Sequence, residues 1–242
     1  MTRTRPSRTV ARQPSAATVP TSYEDELALW QRLEELEAGN VYANSFHRFL
    51  TECVWTVDES SGGDIAPFPN DPYIREVCDY LVEEPLLFLE KSRRVRMTWT
   101  VSAFDLWVAA GGQDPRWPAT LRSTGHRLVL LISKKSEDAE WVLSERVKFI
   151  YDQLVERGIR DEWPGFPEFT FTVTRATATN GSAIRALPQG EKQVRQFAST
   201  MIHYEELAHS DDAKGTLAAA RPTMMGKAGL SGKVVAICTP QI

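Results

Sequence analysis

Apolar positions follow two rhythms along this chain, and their alternation predicts the architecture before any chemistry is considered. Unbroken or nearly unbroken apolar runs cover 86–89, 128–132 and 233–237, the pattern of short strands buried on both faces, while 182–187 reads as a half-buried strand and 200–204 as a further strand. Between them the period lengthens to that of a helix. Thr21-Ser22-Tyr23-Glu24 reads as a capping box, with Leu29, Leu33 and Leu36 on one face and Gly39 as the stop. A second short helix is expected over 44–51, a strand over 54–57, and a helix over 71–82 after a Ser/Gly loop and Ala66-Pro67-Phe68-Pro69. Residues 98–110 are apolar nearly all round, which places a helix inside a core. Ser136 is expected to cap a long helix whose stripe is Ala139, Leu143, Val147, Ile150 and Leu154. Residues 169–174 alternate as a half-buried strand, and 213–220 read as a helix before the last strand. Strands alternating with helices predict an α/β fold with a largely parallel central sheet flanked by helices. Ligands in such a sheet sit at the strand C-termini.

Composition narrows the function classes. The 242 residues allow one large domain with appendages, and a formal net charge of −4 excludes a chain that is basic throughout. Any contact with DNA must come from a local patch or an assembly. Cys53, Cys78 and Cys238 show neither metal-ligand spacing nor a disulfide framework, which fits a reducing compartment. No apolar run approaches the roughly 18 residues of a transmembrane helix, so no membrane role is expected. The first twenty residues hold Arg3, Arg5, Arg8 and Arg12 and no acid. That composition overlaps with organellar transit peptides, but reads first as a disordered basic tail over 1–20. A helical N-terminal cap over 21–52 and the α/β domain over 53–242 complete the expected organisation.

Three chemistry-bearing segments follow predicted strands. The first is Lys91-Ser92-Arg93-Arg94-Val95-Arg96-Met97-Thr98, a cationic turn between an apolar run and a core helix. Strand, turn and helix is the layout of a phosphate-binding loop, where N–H groups at a helix start face an anion. The usual G-x-x-x-x-G-K-[ST] is absent. Lys91 opens the turn, Met97 holds the usual lysine position, and Thr98 keeps a hydroxyl suited to Mg²⁺. The second segment is Glu205-Glu206 and the third Cys238-Thr239-Pro240. Each has a bland reading alone: a solvated basic loop, a helix start, a strand end. Together, at one edge of a parallel sheet, they offer what hydrolysis of ATP needs: cations for phosphates, a carboxylate for Mg²⁺ and a second carboxylate for the attacking water.

At this point the chain resembles the large terminase subunit, the DNA-packaging motor of tailed phages and prophages, from about Cys53 to the end. The resemblance rests on Trp55-Thr56-Val57-Asp58-Glu59, Pro67-Phe68-Pro69, Lys91-Ser92-Arg93-Arg94 with Thr98-Trp99, and Ser133-Lys134-Lys135-Ser136-Glu137-Asp138-Ala139. It continues through Ala186-Leu187-Pro188-Gln189-Gly190, Arg195, Ser199, Glu205-Glu206-Leu207-Ala208-His209 and Thr239-Pro240. It implies a P-loop NTPase of the ASCE type, with a deviant Walker A loop whose nucleotide-binding residues run from Lys91 to Thr98. Lys91 would reach the β- and γ-phosphates. Thr98 and Glu205 would hold Mg²⁺, with Glu205 in the Walker B position where aspartate is usual. Glu206 would be the catalytic base, Cys238-Thr239-Pro240 the coupling motif, and Phe68-Pro69 the adenine-contacting segment. Implied partners are double-stranded DNA, a portal protein, a small terminase subunit and further copies in a ring, in the host cytoplasm at the procapsid portal.

Two departures stand out: Glu205 is one methylene longer than aspartate, and Arg96 fills a turn position where a small residue is usual. Only Gln241-Ile242 follow Pro240. The expectation is therefore a chain without nuclease activity and weak in hydrolysis alone, unless a separately encoded nuclease fragment docks on it. The competing reading is a split or decayed product that serves only as an assembly piece. Arg93, Arg94, Arg122, Arg127 and Arg195 are candidates for a trans-acting arginine finger. His203 reads as a packed core histidine, Lys134-Lys135 as a solvated pair, and Asp211-Asp212 as acids without partners.

Overall fold

The computed structural model describes residues 40–58, 62–92, 95–117, 125–226, 229–230 and 232–240. The basic tail, the helix expected before Gly39, and Arg93, Arg94 and Arg122 lie outside the described residues. The described residues fall in one compact unit that begins at Gly39. Short helical turns at Val41–Asn44, Phe46–Arg48 and Phe49–Cys53 lead in, and they bury Phe46, Phe49 and Leu50 completely. A separate antiparallel hairpin, β1 (Trp55–Asp58) with β2 (Asp64–Pro67), follows. The helix α1 (Pro72–Glu83) has proline at its first turn, as helix starts favour.

The main sheet has seven strands: β3 (Leu86–Glu90), β4 (Leu128–Ser133), β5 (Phe169–Phe171), β6 (Arg175–Ala178), β7 (Ala183–Pro188), β8 (Met201–Tyr204) and β11 (Lys233–Cys238). Their lateral order is β3-β11-β8-β4-β7-β6-β5. The first five are parallel, and β6 and β5 extend the sheet as an antiparallel hairpin. A two-residue pair, β9 (Met225–Gly226) with β10 (Gly229–Leu230), stands apart. β4, β8 and β11 are buried along nearly their whole length, as strands inside a parallel sheet covered on both faces are.

α2 (Met97–Ala110) buries every residue except Thr98 and forms the centre of the core. Phe104 stacks on Trp107 with centroids 5.6 Å apart, and Phe46 meets Phe104 edge-on at 4.8 Å. α2 ends at Gly111, whose φ of 104° closes the helix in a left-handed conformation that glycine takes without strain. On the same side runs α3, built from Ser136–Val142, a π-helical stretch Leu143–Lys148 and Phe149–Glu156. The stripe Ala139, Leu143, Val147, Ile150 and Leu154 is buried as expected. The opposite side holds α4 (Ala213–Thr223) and a smaller cluster with Leu130, Ile132, Ile202, Tyr204, Ala220 and Val234.

Three local expectations are corrected. Ser136 does not cap α3. Lys135 precedes the helix in an extended conformation without a side-chain cap, and the Ser136 hydroxyl donates to Glu140 at 2.7 Å. The strand expected over 169–174 ends at Phe171, because Thr172 closes a turn onto the Arg175 carbonyl through both its N–H and its hydroxyl. The chain then returns as β6, and Val173 at that turn is exposed. Asp211 also has a partner, the Lys134 ammonium at 3.0 Å, in an exposed pair.

One buried cation is placed without a carboxylate in contact. Lys233, at the start of β11, is fully buried, donates to the Glu84 carbonyl and lies 5.9 Å from the Phe104 ring centroid. Burial pushes its pKa down to about 7, against a smaller pull from Glu84. A lysine depressed when folded is destabilising while protonated. The penalty is full below about 7 and fades as pH rises toward the unfolded value near ~10.4. The parent chain should therefore gain stability over that window. Lys233→Met should be more stable than the parent by roughly 1–3 kcal/mol at pH 6, net of the lost bond to Glu84. The difference should shrink toward pH 10 in chemical denaturation, and a gap that did not change with pH would refute the assignment.

Candidate nucleotide site

Strand order builds the site. β11 lies between β3 and β8, so the segments that follow β3, β11 and β8 meet at one sheet edge. Lys91 leaves β3 with its N–H donating to the Cys238 carbonyl at 2.9 Å. Thr239 sits between the other two loops. Its N–H donates to Glu206 Oε2 at 3.0 Å and its hydroxyl to Glu206 Oε1 at 2.9 Å. The Lys91 ammonium lies 3.2 Å from Glu206 Oε1 and 3.3 Å from Thr239 Oγ1. Burial raises the Glu206 pKa, but the two Thr239 bonds and the Lys91 charge outweigh it and hold the carboxyl below the usual range.

A second group of contacts joins β8 to α2. The Thr98 hydroxyl donates to Glu205 Oε1 at 2.7 Å. The other carboxylate oxygen, Oε2, lies 3.1 Å from His203 Nε2, while His203 Nδ1 lies 2.6 Å from Asp105 Oδ2. Burial opposes a charge on this ring, yet the flanking Asp105 and Glu205 more than offset it and push its pKa up to about 10. Asp105 is itself raised by burial, against the pull of His203. With Nδ1 engaged by Asp105, the other ring nitrogen, Nε2, faces Glu205. His203 is packed in the core as expected, but with two polar partners that the sequence did not reveal.

The loop itself is half open: Lys91, Val95, Arg96 and Thr98 are partly buried and Ser92 is exposed. Arg96 precedes α2 at φ 53° and ψ 22°. In G-x-x-x-x-G-K-[ST] a glycine stands directly before the lysine, and Arg96 occupies that place with the left-handed backbone that glycine would supply. Met97, at the lysine position, is buried in the core. Among the described residues, the non-glycine residues with positive φ are Arg96 and Glu206, at 53° and 52°. Both border this site, as strained backbone often does.

Phe68 is buried beside the hairpin and its N–H donates to the Val54 carbonyl at 2.9 Å. Its ring is committed to the core, and Pro69 is the more open member of that segment. Close by in sequence, Tyr73 is 40% exposed. Burial and then Asp71 raise its pKa while Arg96 lowers it. An aromatic there was not anticipated from the sequence. Of the arginine candidates, Arg127 is buried, donates to the Val108 and Gly112 carbonyls and lies 5.0 Å from the Trp117 ring centroid. It holds the end of α2 and cannot reach outward. Arg195 is exposed and pairs with Glu191 at 2.8 Å.

Thr98 and Glu205 present oxygen atoms only, the donor set that Mg²⁺ takes when phosphates and waters complete its shell. No group of three or more His, Cys, Asp or Glu gathers as a metal cage among the described residues. An apolar groove of about 350 Å³, lined by Leu86, Phe88, Leu217, Met224 and Val234, lies at the β3 edge instead.

Comparison with known proteins gives the fold. No family model matches the chain, and no curated protein matches it in sequence. Among solved structures, the large terminase of bacteriophage HK97 is similar over 81% of this chain and 37% of its own length, with TM-score 0.55 and 14% identity. The large terminase ATPase domain of Thermus phage P74-26 matches at TM-score 0.48 and 13% identity, covering 72% of this chain and 66% of that one. The large terminase of a thermophilic bacteriophage matches at 0.48 and 12%, covering 71% and 39%. At 14% identity the likeness to the HK97 protein is one of fold, an α/β sheet that is largely parallel and flanked by helices. It agrees with the resemblance carried by the sequence motifs. The chain spans a little over a third of the HK97 protein.

The backbone at Arg96 yields a direct test. Arg96→Gly should match or exceed the parent in stability, because relief of a left-handed non-glycine residue offsets the entropy glycine adds to the unfolded chain. Arg96→Val should lose about 1–3 kcal/mol, since a β-branched residue tolerates that conformation least. Denaturant midpoints for the three chains decide it, and a valine variant as stable as the glycine one would remove the claim.

Proposed function

We propose that this chain is the ATPase portion of a DNA-packaging motor of the terminase type, coupling ATP hydrolysis to movement of double-stranded DNA into a procapsid. The observation that carries the reading is the convergence of Lys91, Thr98, Glu205, Glu206 and Thr239 from three strand ends and one helix start. Phosphoryl transfer asks the protein mainly for positioning and charge, and this set divides those tasks.

Lys91 supplies the cation for the β- and γ-phosphates. In the arrangement described, its side chain is 12% exposed and its ammonium is paired with Glu206, so a phosphate must draw it away from that carboxylate. Glu206 is then left on Thr239, which fixes both of its oxygens and aims the carboxylate that would take the proton of the attacking water. Bound Mg²⁺ would neutralise charge on the phosphate oxygens, and Thr98 and Glu205 are the residues that would hold it. Thr239 touches both Lys91 and Glu206, which suits the coupling role assigned to Cys238-Thr239-Pro240. The contacts with portal protein, small subunit and neighbouring ring members belong to the same proposal.

Substitution separates the roles. Lys91→Ala should abolish hydrolysis and weaken ATP binding, whereas Met97→Leu, which preserves a buried apolar volume, should leave ATP affinity near the parent value. Glu206→Gln should retain Mg·ATP binding and lose about 10²–10⁴-fold in turnover. Glu205→Ala should instead lose the Mg²⁺-dependent part of the affinity. These are read by nucleotide titration and phosphate release, with DNA and portal present. Unchanged ATP affinity in Lys91→Ala, or parental turnover in Glu206→Gln, would overturn the proposal.

A further inference from the structure

We propose that Asp105 and His203 are positioning residues for Glu205: they hold its carboxylate from behind so that the oxygen beside Thr98 is presented to Mg²⁺. The inference rests on the nucleotide-site reading and adds two residues to it. Neither belongs to a loop motif.

The geometry is a ladder with two rungs. Thr98 and Asp105 stand at i and i+7 on α2 and so share a face. His203 stands on β8 and Glu205 just beyond its last residue, at i and i+2, and they likewise share a side. The outer rung is Thr98 to Glu205 at 2.7 Å and the inner rung is Asp105 to His203 at 2.6 Å. The upright between them is the 3.1 Å contact of His203 Nε2 with Glu205 Oε2. One carboxylate oxygen is thereby tied to the imidazole, and the other is left with a single hydroxyl donor at the half-buried end of the ladder.

Packing alone does not account for this arrangement. Asp105 and His203 are completely buried, and Asp105 Oδ1 has no hydrogen-bond partner. A buried polar network with an unmet acceptor is less stable than apolar residues of the same shape. The network points one way, from the core outward to Glu205. A glutamate has one more rotatable bond than an aspartate, and in a metal site its oxygen needs external anchoring to keep one position. Metal ligands are commonly held by hydrogen-bonded partners of this kind, and loss of such a partner costs roughly 10–100-fold in metal affinity.

The experiment uses the full chain and compares His203→Met, which has no donor, with His203→Gln, whose amide can still donate to Glu205. Asp105→Leu and Asp105→Asn form a second pair, since the asparagine amide can hold Nδ1 and keep Nε2–H toward Glu205. Binding of a fluorescent ATP analogue is measured against Mg²⁺ concentration and again in excess EDTA. His203→Met and Asp105→Leu should need about 10–100-fold more Mg²⁺ for half-maximal binding, with affinity in EDTA unchanged. His203→Gln and Asp105→Asn should recover most of the loss. A merely structural role would lower the melting temperature without moving the Mg²⁺ midpoint. Folded His203→Met with a parental midpoint overturns the inference, while Glu205→Ala still shifting the midpoint shows that the site reading stands. If Glu205→Ala also leaves it unmoved, the site reading falls first. Should the apolar variants not fold, ¹⁵N-histidine spectra of the parent decide: the His203 signal should move when Mg²⁺ is added to the nucleotide-bound chain, and a stationary signal overturns the inference.

Discussion

The Glu206 carboxylate is the contact on which the site depends, because it gathers the ends of β3, β8 and β11. It accepts from the Thr239 N–H and hydroxyl and faces the Lys91 ammonium. None of these groups is near another in sequence; Lys91 and Thr239 are 148 residues apart. What brings them together is the placement of β11 between β3 and β8. A charge-assisted cluster at a strand edge is worth more than an exposed pair, since both Lys91 and Glu206 are partly removed from water. The left-handed backbone of Glu206 is the local cost of turning its side chain toward Thr239.

Much of this was legible along the chain. Apolar runs marked β3, β4 and β11, 200–204 read as a further strand, and polar residues directly after these strands could only lie at the strand C-termini. The core helix announced itself by being apolar all round, and its sole less-buried residue is Thr98. Lateral order was not legible. Nothing in Lys233-Val234-Val235-Ala236-Ile237 says that the last strand sits between the first and the fourth of the parallel set. Nor was the partner of His203, because Asp105 lies 98 residues away and its buried face is set by packing rather than by pattern. The hairpin of β5 and β6 was missed for a different reason. Val173 prolongs the alternation of Phe169 and Phe171 by one step, yet it sits exposed on the turn.

The helical turns between Val41 and Cys53 show how little of the core is dispensable. Phe46, Phe49 and Leu50 carry no chemistry, but Phe46 packs against both Phe104 and Trp107, and the Trp107 indole donates to the Tyr42 carbonyl at 2.7 Å. They clamp the far end of α2, the helix whose first turn bears Thr98. Arg127 grips the same end through the Val108 and Gly112 carbonyls. The orientation of one hydroxyl at the site is thus set by apolar contacts two to three turns away, through a rod that packing does not allow to tilt.

Met97 in the core and Lys91 at the end of β3 together change the mechanics of the loop. In the pattern that ends G-K-[ST], the phosphate-binding cation and the metal-binding hydroxyl are neighbours on one helical turn and travel as one piece. Here the ammonium is mounted on the sheet and the hydroxyl on the helix. A slight slide of α2 along the sheet would open or narrow the gap between them without bending either element. The two charges that a triphosphate must satisfy at once are therefore carried on separate platforms, and the nucleotide itself becomes the brace that sets the distance between helix and sheet.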